Sequence, residues 1–600
     1  MEFKTIVAMF LENAERFRGD TLIKYKKKRG GPYLDLTWGQ LQDLSIACAF
    51  GMINLGLERG DRVAILSFNR LEWIVTDLGI MIAGGVDVPI YHTNTADQAA
   101  YIIKDSGAKF AVVEDTAQLE KVLSVAAELE GLRRIILMEG VAPEDDERII
   151  PFSALVELGQ VQGAELKDEL EERLRRIGLD DLATIVYTSG TTGPPKGCMI
   201  SHQNIAFVLW SIHELIRIDP ERNLSLMILP LSHLYPRVSG YYYNLSINIP
   251  FAIAESIETI GQNMTEVRPT YFTGVPRIFE KVHDRIVSTA ERGSVLKRAI
   301  FRWSVRVGRE RSRRLIAWQP IPLMLKLKHA VADRLVFKKI RDMLGGRLWS
   351  AVSAGAPLSR EVGEFIHSLG IQVIEFYGLT ETICGTMTTF DELRYGTVGK
   401  PMPGVEVQLA PDGEILIRGN NFMGYYNRPD LTEQTLCDGW LYTGDVGKWD
   451  EHGFLVITDR KKDLIITSGG KNVAPQNIEN LLKRIPLVSI PMVYGDNKKF
   501  LTAVVTLDRA ETEVFAKEKG MTYSTYDELT QSLEIRRHIQ QGIDRVNAQL
   551  AKYESIKSFL ILPREFSQEQ GEITPTLKLK RKAIIAKYGG LLEKLYEQAG

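Results

Sequence analysis

The chain carries only four cysteines, Cys48, Cys198, Cys384 and Cys437, and no two of them stand in a CxxC spacing. That excludes a disulfide framework and leaves a zinc site without sequence support, so the chain reads as reduced and cytosolic. An excess of charge is missing as well: 74 Lys and Arg face 76 Asp and Glu, a formal net of −2. Without a global basic field, nucleic acid is not an expected partner. Long apolar runs are also absent. The N-terminal region has one short run at 6–11 and carries Glu2, Glu12 and Glu15, whereas an export signal needs a longer apolar core behind a basic start. The window 73–91 is broken by Asp77, Asp87 and Gly84-Gly85, where a spanning helix wants about 20 predominantly apolar residues. It reads as buried core. No internal repeat or low-complexity tract appears.

Six hundred residues leave room for roughly four structural units at about 150 residues each. Apolar runs at 63–66, 71–83 and 86–90 follow a β-α-β alternation, with further helix and strand signals at 98–105 and 110–113. A second region of this kind starts at 182–187, passes a Gly-rich loop and opens a helix at 201–204. Short apolar segments at 226–229, 348–353 and 373–376 continue it. The expected class is α/β, two parallel sheets with helices on their faces. Beyond Gly404 the runs 405–409 and 414–418 flank the turn Pro411-Asp412-Gly413, a hairpin signal for a small antiparallel or barrel-like subdomain. A boundary is expected near 459–463, with charged helices and isolated strands such as 501–507 after it.

One segment breaks the charge balance. Residues 297–341 hold fourteen Lys and Arg against Glu310 and Asp333. Arg302, Arg306, Arg309 and Arg313 recur at helical spacing beside Trp303, Val305 and Val307. The plainer reading is a solvated helix face. The sharper one is a surface patch for anionic lipid headgroups or a polyanionic ligand.

Chemistry concentrates in four loops. Tyr187-Thr188-Ser189-Gly190-Thr191-Thr192-Gly193-Pro194-Pro195-Lys196-Gly197 follows a strand. Its glycines let backbone N–H groups approach a polyphosphate, its hydroxyls add donors and Lys196 adds positive charge. It is not a Walker loop, because Lys196 is followed by glycine rather than Ser or Thr. Gly355-Ala356-Pro357 offers a flat surface to a planar ring. Tyr377-Gly378-Leu379-Thr380-Glu381 sets a carboxylate at a strand end, where Mg²⁺ could be bound by one carboxylate plus phosphate oxygens; alone, Glu381 reads as a helix-capping acid before a metal ligand. The fourth group runs from Asp438 through Asp445 and Arg460 to Ser468-Gly469-Gly470-Lys471. Asp445 suits the diol of a ribose, with Arg460 as a further donor.

Taken together these motifs resemble the adenylate-forming superfamily of acyl-CoA synthetases, peptide-synthetase adenylation domains and luciferases, over about 10–582. The segment 438–462, the basic insertion before Gly345-Gly346-Arg347-Leu348 and the terminal stretch 574–581 look most like the long-chain fatty-acyl-CoA synthetases. The resemblance implies an AMP-forming ligase for a fatty acid, with ATP, Mg²⁺ and CoA. It places the ATP phosphates on Thr188, Ser189, Gly190, Thr191, Thr192, Gly193 and Lys196. The adenine falls on Gly355, Ala356, Pro357, Tyr377, Gly378, Leu379 and Thr380, the metal on Glu381 with Thr188, and the ribose on Asp445 and Arg460. His233 matches the junction of the carboxylate and ATP pockets, although Pro236-Arg237 departs from the usual continuation. Tyr241, Tyr242 and Tyr243 line an acyl tunnel or pack in the core, with core preferred. Lys578 matches the adenylation lysine, and Lys580 and Lys582 stand close by.

The resemblance further implies an adenylation domain at 1–460 and a mobile α+β domain at 461–600, hinged at Lys462. Rotation would bring Ser468, Gly469, Gly470 and Lys471 to the thioester step. A homodimer, and peripheral contact at the inner face of the membrane through 297–341, complete the expectations. Rival readings are a ligase that stops at the adenylate, one acting on medium-chain or aromatic acids, an ADP-forming kinase or P-loop ATPase, and a non-catalytic scaffold. The failed Walker pattern speaks against the ATPase, and the joint presence of Glu381, Asp445, Arg460 and Lys578 against the scaffold.

Overall fold

The computed structural model describes residues 3–143, 145–188, 194–256, 258–468, 471–574 and 579–597. Among them, an eight-stranded sheet is built around Arg62–Leu66, Val86–Ile90 and Phe110–Val113, all parallel. The helix between the first two strands, Leu71–Ile82, is buried along almost its whole length. Parallel neighbours need such a crossover, which puts helices on both faces and makes the strands apolar throughout. One edge departs from the expected parallel pattern. Leu182–Thr188 turns back through the Gly-rich loop into Lys196–Ser201, antiparallel to it, and Gly424–Tyr425 extends that edge. A connection this short can only return antiparallel. The strand Lys196–Ser201 went unseen in sequence because it follows the loop glycines directly. The helix expected after it is present as His202–Leu215, capped by Ser201 and Asn204 in a reciprocal capping box.

A second, nine-stranded sheet has the parallel centre Gln372–Tyr377, Ser350–Ser353, Tyr271–Gly274, Ser225–Met227, Phe251–Ile253 and Thr21–Lys26, with antiparallel strands at both edges. The hairpin Glu406–Leu409/Glu414–Arg418 forms as expected, with Gly413 at φ +83° in its turn. The long strand Trp440–Trp449 then pairs Glu414–Arg418 on one side and Leu455–Arg460 on the other. This five-stranded antiparallel subdomain carries Asp445 and Arg460 opposite each other.

Beyond Arg460 a three-stranded sheet, Val488–Tyr494, Leu501–Leu507 and Ile556–Ile561, packs on its own apolar core with helices such as Leu533–Asn547. It meets the rest of the chain through Arg292 with Glu511 at 2.7 Å and Glu518 at 3.4 Å, Arg484 with Glu361 at 3.4 Å and Arg277 with Ser489 at 3.3 Å, and through the helix Pro475–Leu482, which lies against Leu455–Arg460.

The two large sheets are joined by a buried charge network. Arg237, in the π-helix Arg237–Tyr242, is fully buried and donates to Asp87 and, at 3.0 Å, to Thr184 of the eight-stranded sheet. Asp77, on Leu71–Ile82, lies 3.7 Å from the guanidinium and accepts the Tyr242 hydroxyl at 3.0 Å. Burial pushes the Asp77 carboxyl up to about 8, the Asp87 charge adds to this and Arg237 opposes it. Tyr241, Tyr242 and Tyr243 are all buried here, as core. Removing one partner of a buried pair strands the other charge, so Asp87→Ala is expected to destabilise the N-terminal unit by about 3–5 kcal/mol. An earlier midpoint in chemical denaturation would report it; an unchanged midpoint would mean that the network carries no weight.

Candidate active site

The expected site residues lie at strand ends and in the turns that follow them. Thr188 and Lys196 face each other across the mouth of the loop hairpin. The expected phosphate-binding residues Ser189, Gly190, Thr191, Thr192 and Gly193 lie outside the described residues. The Lys196 ammonium sits over the Tyr425 ring, 4.8 Å from its centre. The Tyr425 hydroxyl donates to Glu381 at 2.6 Å. Tyr425 therefore ties the expected phosphate lysine to the expected metal-binding carboxylate. Thr188 Oγ1 lies 4.0 Å from the Cys198 sulfur, and the nearby Glu381 charge helps burial to push that thiol up.

The turn after Gln372–Tyr377 connects these groups to the five-stranded antiparallel subdomain. Tyr377, at its start, donates its hydroxyl to Asp445 at 2.9 Å. Asp445 is buried and also takes Arg460 Nε at 2.9 Å. The Asp445 charge helps hold the Arg460 guanidinium above its ordinary value. Glycine is required at 378: a Cβ there would lie 2.7 Å from Cys384 Cα and 2.8 Å from the Ile383 carbonyl. The turn is closed by the Leu379 N–H donating to Thr382 Oγ1 at 3.1 Å and the Gly385 N–H to the Tyr377 carbonyl at 2.8 Å. Thr380 lies within it.

Gly355, Ala356 and Pro357 follow Ser350–Ser353 on the neighbouring strand, Gly355 at φ +86°. The loop is fastened by the Ala354 N–H to the Gly274 carbonyl at 3.3 Å and the Leu358 N–H to Glu375 Oε2 at 3.3 Å. His233 caps the short helix Leu234–Pro236 through its own Nδ1, which accepts the Tyr235 N–H at 3.2 Å. The Tyr235 hydroxyl then reaches the carbonyls of Gly274 and Val352 at 3.3 and 3.2 Å. His233 is thereby anchored beside the strand that leads into the Gly355 loop.

Among the described residues, no hydrogen bond or ion pair joins the C-terminal candidates to this cluster. The Ser468 N–H donates to the Lys498 carbonyl at 2.9 Å and the Lys471 N–H to Thr467 Oγ1 at 3.2 Å, both within the C-terminal unit. Gly469, Gly470 and Lys578 lie outside the described residues. Lys461 is pinned to the five-stranded subdomain by Asp412 at 2.6 Å and Glu414 at 2.7 Å. Lys462 is exposed and makes no ion pair among the described residues.

The pattern of the AMP-binding enzyme family matches residues 10–426. The chain belongs to that family. It is an AMP-binding, adenylate-forming enzyme, and residues 462–600 match the AMP-binding enzyme C-terminal domain. The long-chain-fatty-acid–CoA ligase FadD15 of Mycobacterium bovis is 35% identical over 604 residues, covering 100% of this chain and 98% of its own. The long-chain-fatty-acid–CoA ligase ACSBG2 of Mus musculus is 34% identical over 633 residues, covering 99% and 93%. Among solved structures, the anthranilate CoA ligase AuaEII in complex with anthranoyl-AMP superposes with a TM-score of 0.73 at 17% identity, over 99% and 98% of the two chains. The A domain of the carboxylic acid reductase from Segniliparus rugosus, in complex with AMP and a co-purified carboxylic acid, gives 0.74 at 21% identity, over 100% and 95%. At these identities the structural likeness concerns the fold.

Two residues of the site escaped sequence reasoning. Tyr425 sits far down the chain from both of its partners, and only the edge strand Gly424–Tyr425 brings it there. Glu375, two residues before Tyr377, points inward on a strand where an apolar residue is the rule. Burial pushes its carboxyl up to about 8 from 4.5, against the amides of Leu358 and Gly396. The folded protein thus keeps a proton that the unfolded chain has released. The stability this proton supplies is full below about pH 4.5 and is lost as pH rises towards 8. Glu375→Gln keeps an acceptor for Leu358 and cannot ionise. Melting curves from pH 5 to above 8 should show a shallower decline for Glu375→Gln than for the wild type; parallel curves would refute the assignment.

Proposed function

We propose that the chain is an ATP-dependent long-chain fatty acid–CoA ligase. Fatty acid and ATP give acyl-AMP and pyrophosphate, and acyl-AMP and CoA then give acyl-CoA and AMP. The observation that carries the reading is the single turn 377–381. Its first residue is bound to Asp445 and, through it, to Arg460; its last is bound through Tyr425 to Lys196. A nucleotide has the same two ends, a ribose to be held by a carboxylate and a polyphosphate to be held by a cation. The chain length of the acid rests on the relatives, whose names are those of long-chain-fatty-acid–CoA ligases over nearly their full lengths.

Glu381 and Thr188 offer one carboxylate and one hydroxyl, and no group of three or more potential metal ligands forms among the described residues. That donor set fits Mg²⁺, which keeps water and takes further oxygens from substrate phosphates. Bound there, Mg²⁺ would neutralise phosphate charge. In the first step a carboxylate oxygen attacks the α-phosphorus and the bond to pyrophosphate breaks. Lys196, and Lys578 brought in from the C-terminal unit, would stabilise the charge growing on the phosphate oxygens. In the second step the CoA thiolate attacks the acyl carbonyl and AMP leaves, so Lys578 must withdraw and room must open for the thiol. A hinge at Lys462 meets that need, because the chain is fastened through Lys461 and its anchorage ends there.

The test is one incubation with ATP, Mg²⁺, CoA and acids from acetate to oleate plus benzoate, read by mass spectrometry. AMP with a long-chain acyl-CoA is expected. Acyl-AMP without thioester, thioester from another acid, or ADP would each overturn the reading. Lys578→Ala is expected to slow adenylation by about 10²–10³ while still converting supplied acyl-AMP. Gly469→Leu should do the reverse, since a side chain there would fill the space for the pantetheine arm. Loss of both steps in Gly469→Leu would contradict its role.

A further inference from the structure

The basic segment is a helical hairpin, Val295–Ile316 followed by Leu323–Ala332, the second arm running on through Asp333–Phe337 into Lys338–Met343. The arginine stripe on the first arm is largely spent inside the protein. Arg302 pairs with Glu291, Arg309 with Glu361 at 2.9 Å and Arg313 with Glu364 at 3.0 Å. The cleft beside it, about 670 Å³, is lined by these three arginines together with Arg306, Arg314 and Arg360. The second arm is different. Trp318 is 65% exposed, Leu323 74%, Met324 62% and Leu327 55%, and Val331 and Leu335 continue the exposed row. Trp318 takes φ +48° at the tip, a conformation that a bulky side chain rarely adopts.

Cations accompany this apolar row. Lys326, Lys328, Arg334, Lys338 and Lys339 are exposed and make no ion pair among the described residues. The one acid between 318 and 339, Asp333, is engaged by Arg341 at 2.7 Å. A face with this much exposed apolar surface and five free cations is complementary to one environment, an apolar layer under a sheet of negative charge. No helix among the described residues is long and apolar enough to cross a membrane. At 1.5 Å per residue the arm 323–343 reaches about 30 Å, long enough to lie in the interface.

We infer that the tip and second arm of this hairpin are a docking surface for an anionic lipid bilayer. Trp318, Leu323, Met324 and Leu327 enter the boundary between headgroups and acyl chains, and Lys326, Lys328, Arg334, Lys338 and Lys339 meet the headgroup phosphates. The surface is argued from its own residues and stands apart from the choice of substrate.

The test is co-sedimentation of the full chain with phosphatidylcholine vesicles, with and without phosphatidylglycerol, at low and high salt. Binding to the anionic vesicles that weakens with salt is expected. The variant Trp318→Ser/Leu323→Ser/Leu327→Ser should bind at least about tenfold more weakly. Lys326→Glu/Lys328→Glu should lose most binding at low salt, where screening is least. All five positions are exposed, and melting curves unchanged from the wild type would confirm that the fold survives. No binding by the wild type, or equal binding by the serine variant, would overturn the inference. So would a wild-type dimer that the serine variant dissolves, which would make this face a contact between two copies of the chain.

Discussion

Arg237 is the interaction on which the rest of the arrangement depends. Its guanidinium reaches Asp87 and Thr184 of one sheet from a π-helix that belongs to the other, with Asp77 close by. A fully buried cation is tolerated only when its partners are in place. The network therefore has a strict geometric requirement: the two sheets can meet in few other registers without leaving a charge unpaired. The same π-helix follows His233 and Tyr235 directly. π-helical turns cost hydrogen-bond quality and tend to occur where function demands them.

From that seam the site follows as a chain of short connections. Leu182–Thr188 and Lys196–Ser201 form the two arms of the loop hairpin, and Gly424–Tyr425 lays Tyr425 beside Lys196. Gln372–Tyr377 delivers a turn whose two ends touch Asp445 of the five-stranded subdomain and Tyr425 of the edge strand. Glu375 fastens the neighbouring Gly355 loop from beneath. Lys461, which follows directly on Arg460, is fastened to the five-stranded subdomain through Glu414. Each connection is a hydrogen bond or ion pair of ordinary strength, but together they leave this face of the large domain with little freedom. The C-terminal unit meets it through surface ion pairs worth about 0–1 kcal/mol each and through the helix Pro475–Leu482 against Leu455–Arg460.

Much of this was legible in the sequence. The apolar runs 63–66, 86–90, 110–113 and 501–507 became strands with bounds within a residue of those expected, because a fully buried strand must be apolar along its length. The hairpin around Pro411-Asp412-Gly413 was readable from its turn chemistry. Asp77 and Asp87 were legible only as interruptions of an apolar window. Nothing local announces their common partner, which lies some 150 residues away in the chain. The arginine stripe at 302–313 was visible as a helical repeat, but the acids that neutralise it, Glu291, Glu361 and Glu364, come from other elements. The exposed row from Trp318 to Leu335 reads in sequence like any buried apolar stripe.

By itself, then, the sequence determined the α/β alternation, the loop chemistry and the family, because these depend on local spacing and on residue types whose chemistry is the same wherever they fold. Tertiary structure alone decided which groups share a site: Tyr425 between Lys196 and Glu381, Tyr377 against Asp445, Arg237 between two sheets. It also decided which apolar residues face water and which cations remain unpaired. Those outcomes depend on contacts between residues distant in the chain, and the period of a strand or helix carries no information about what will be packed against it.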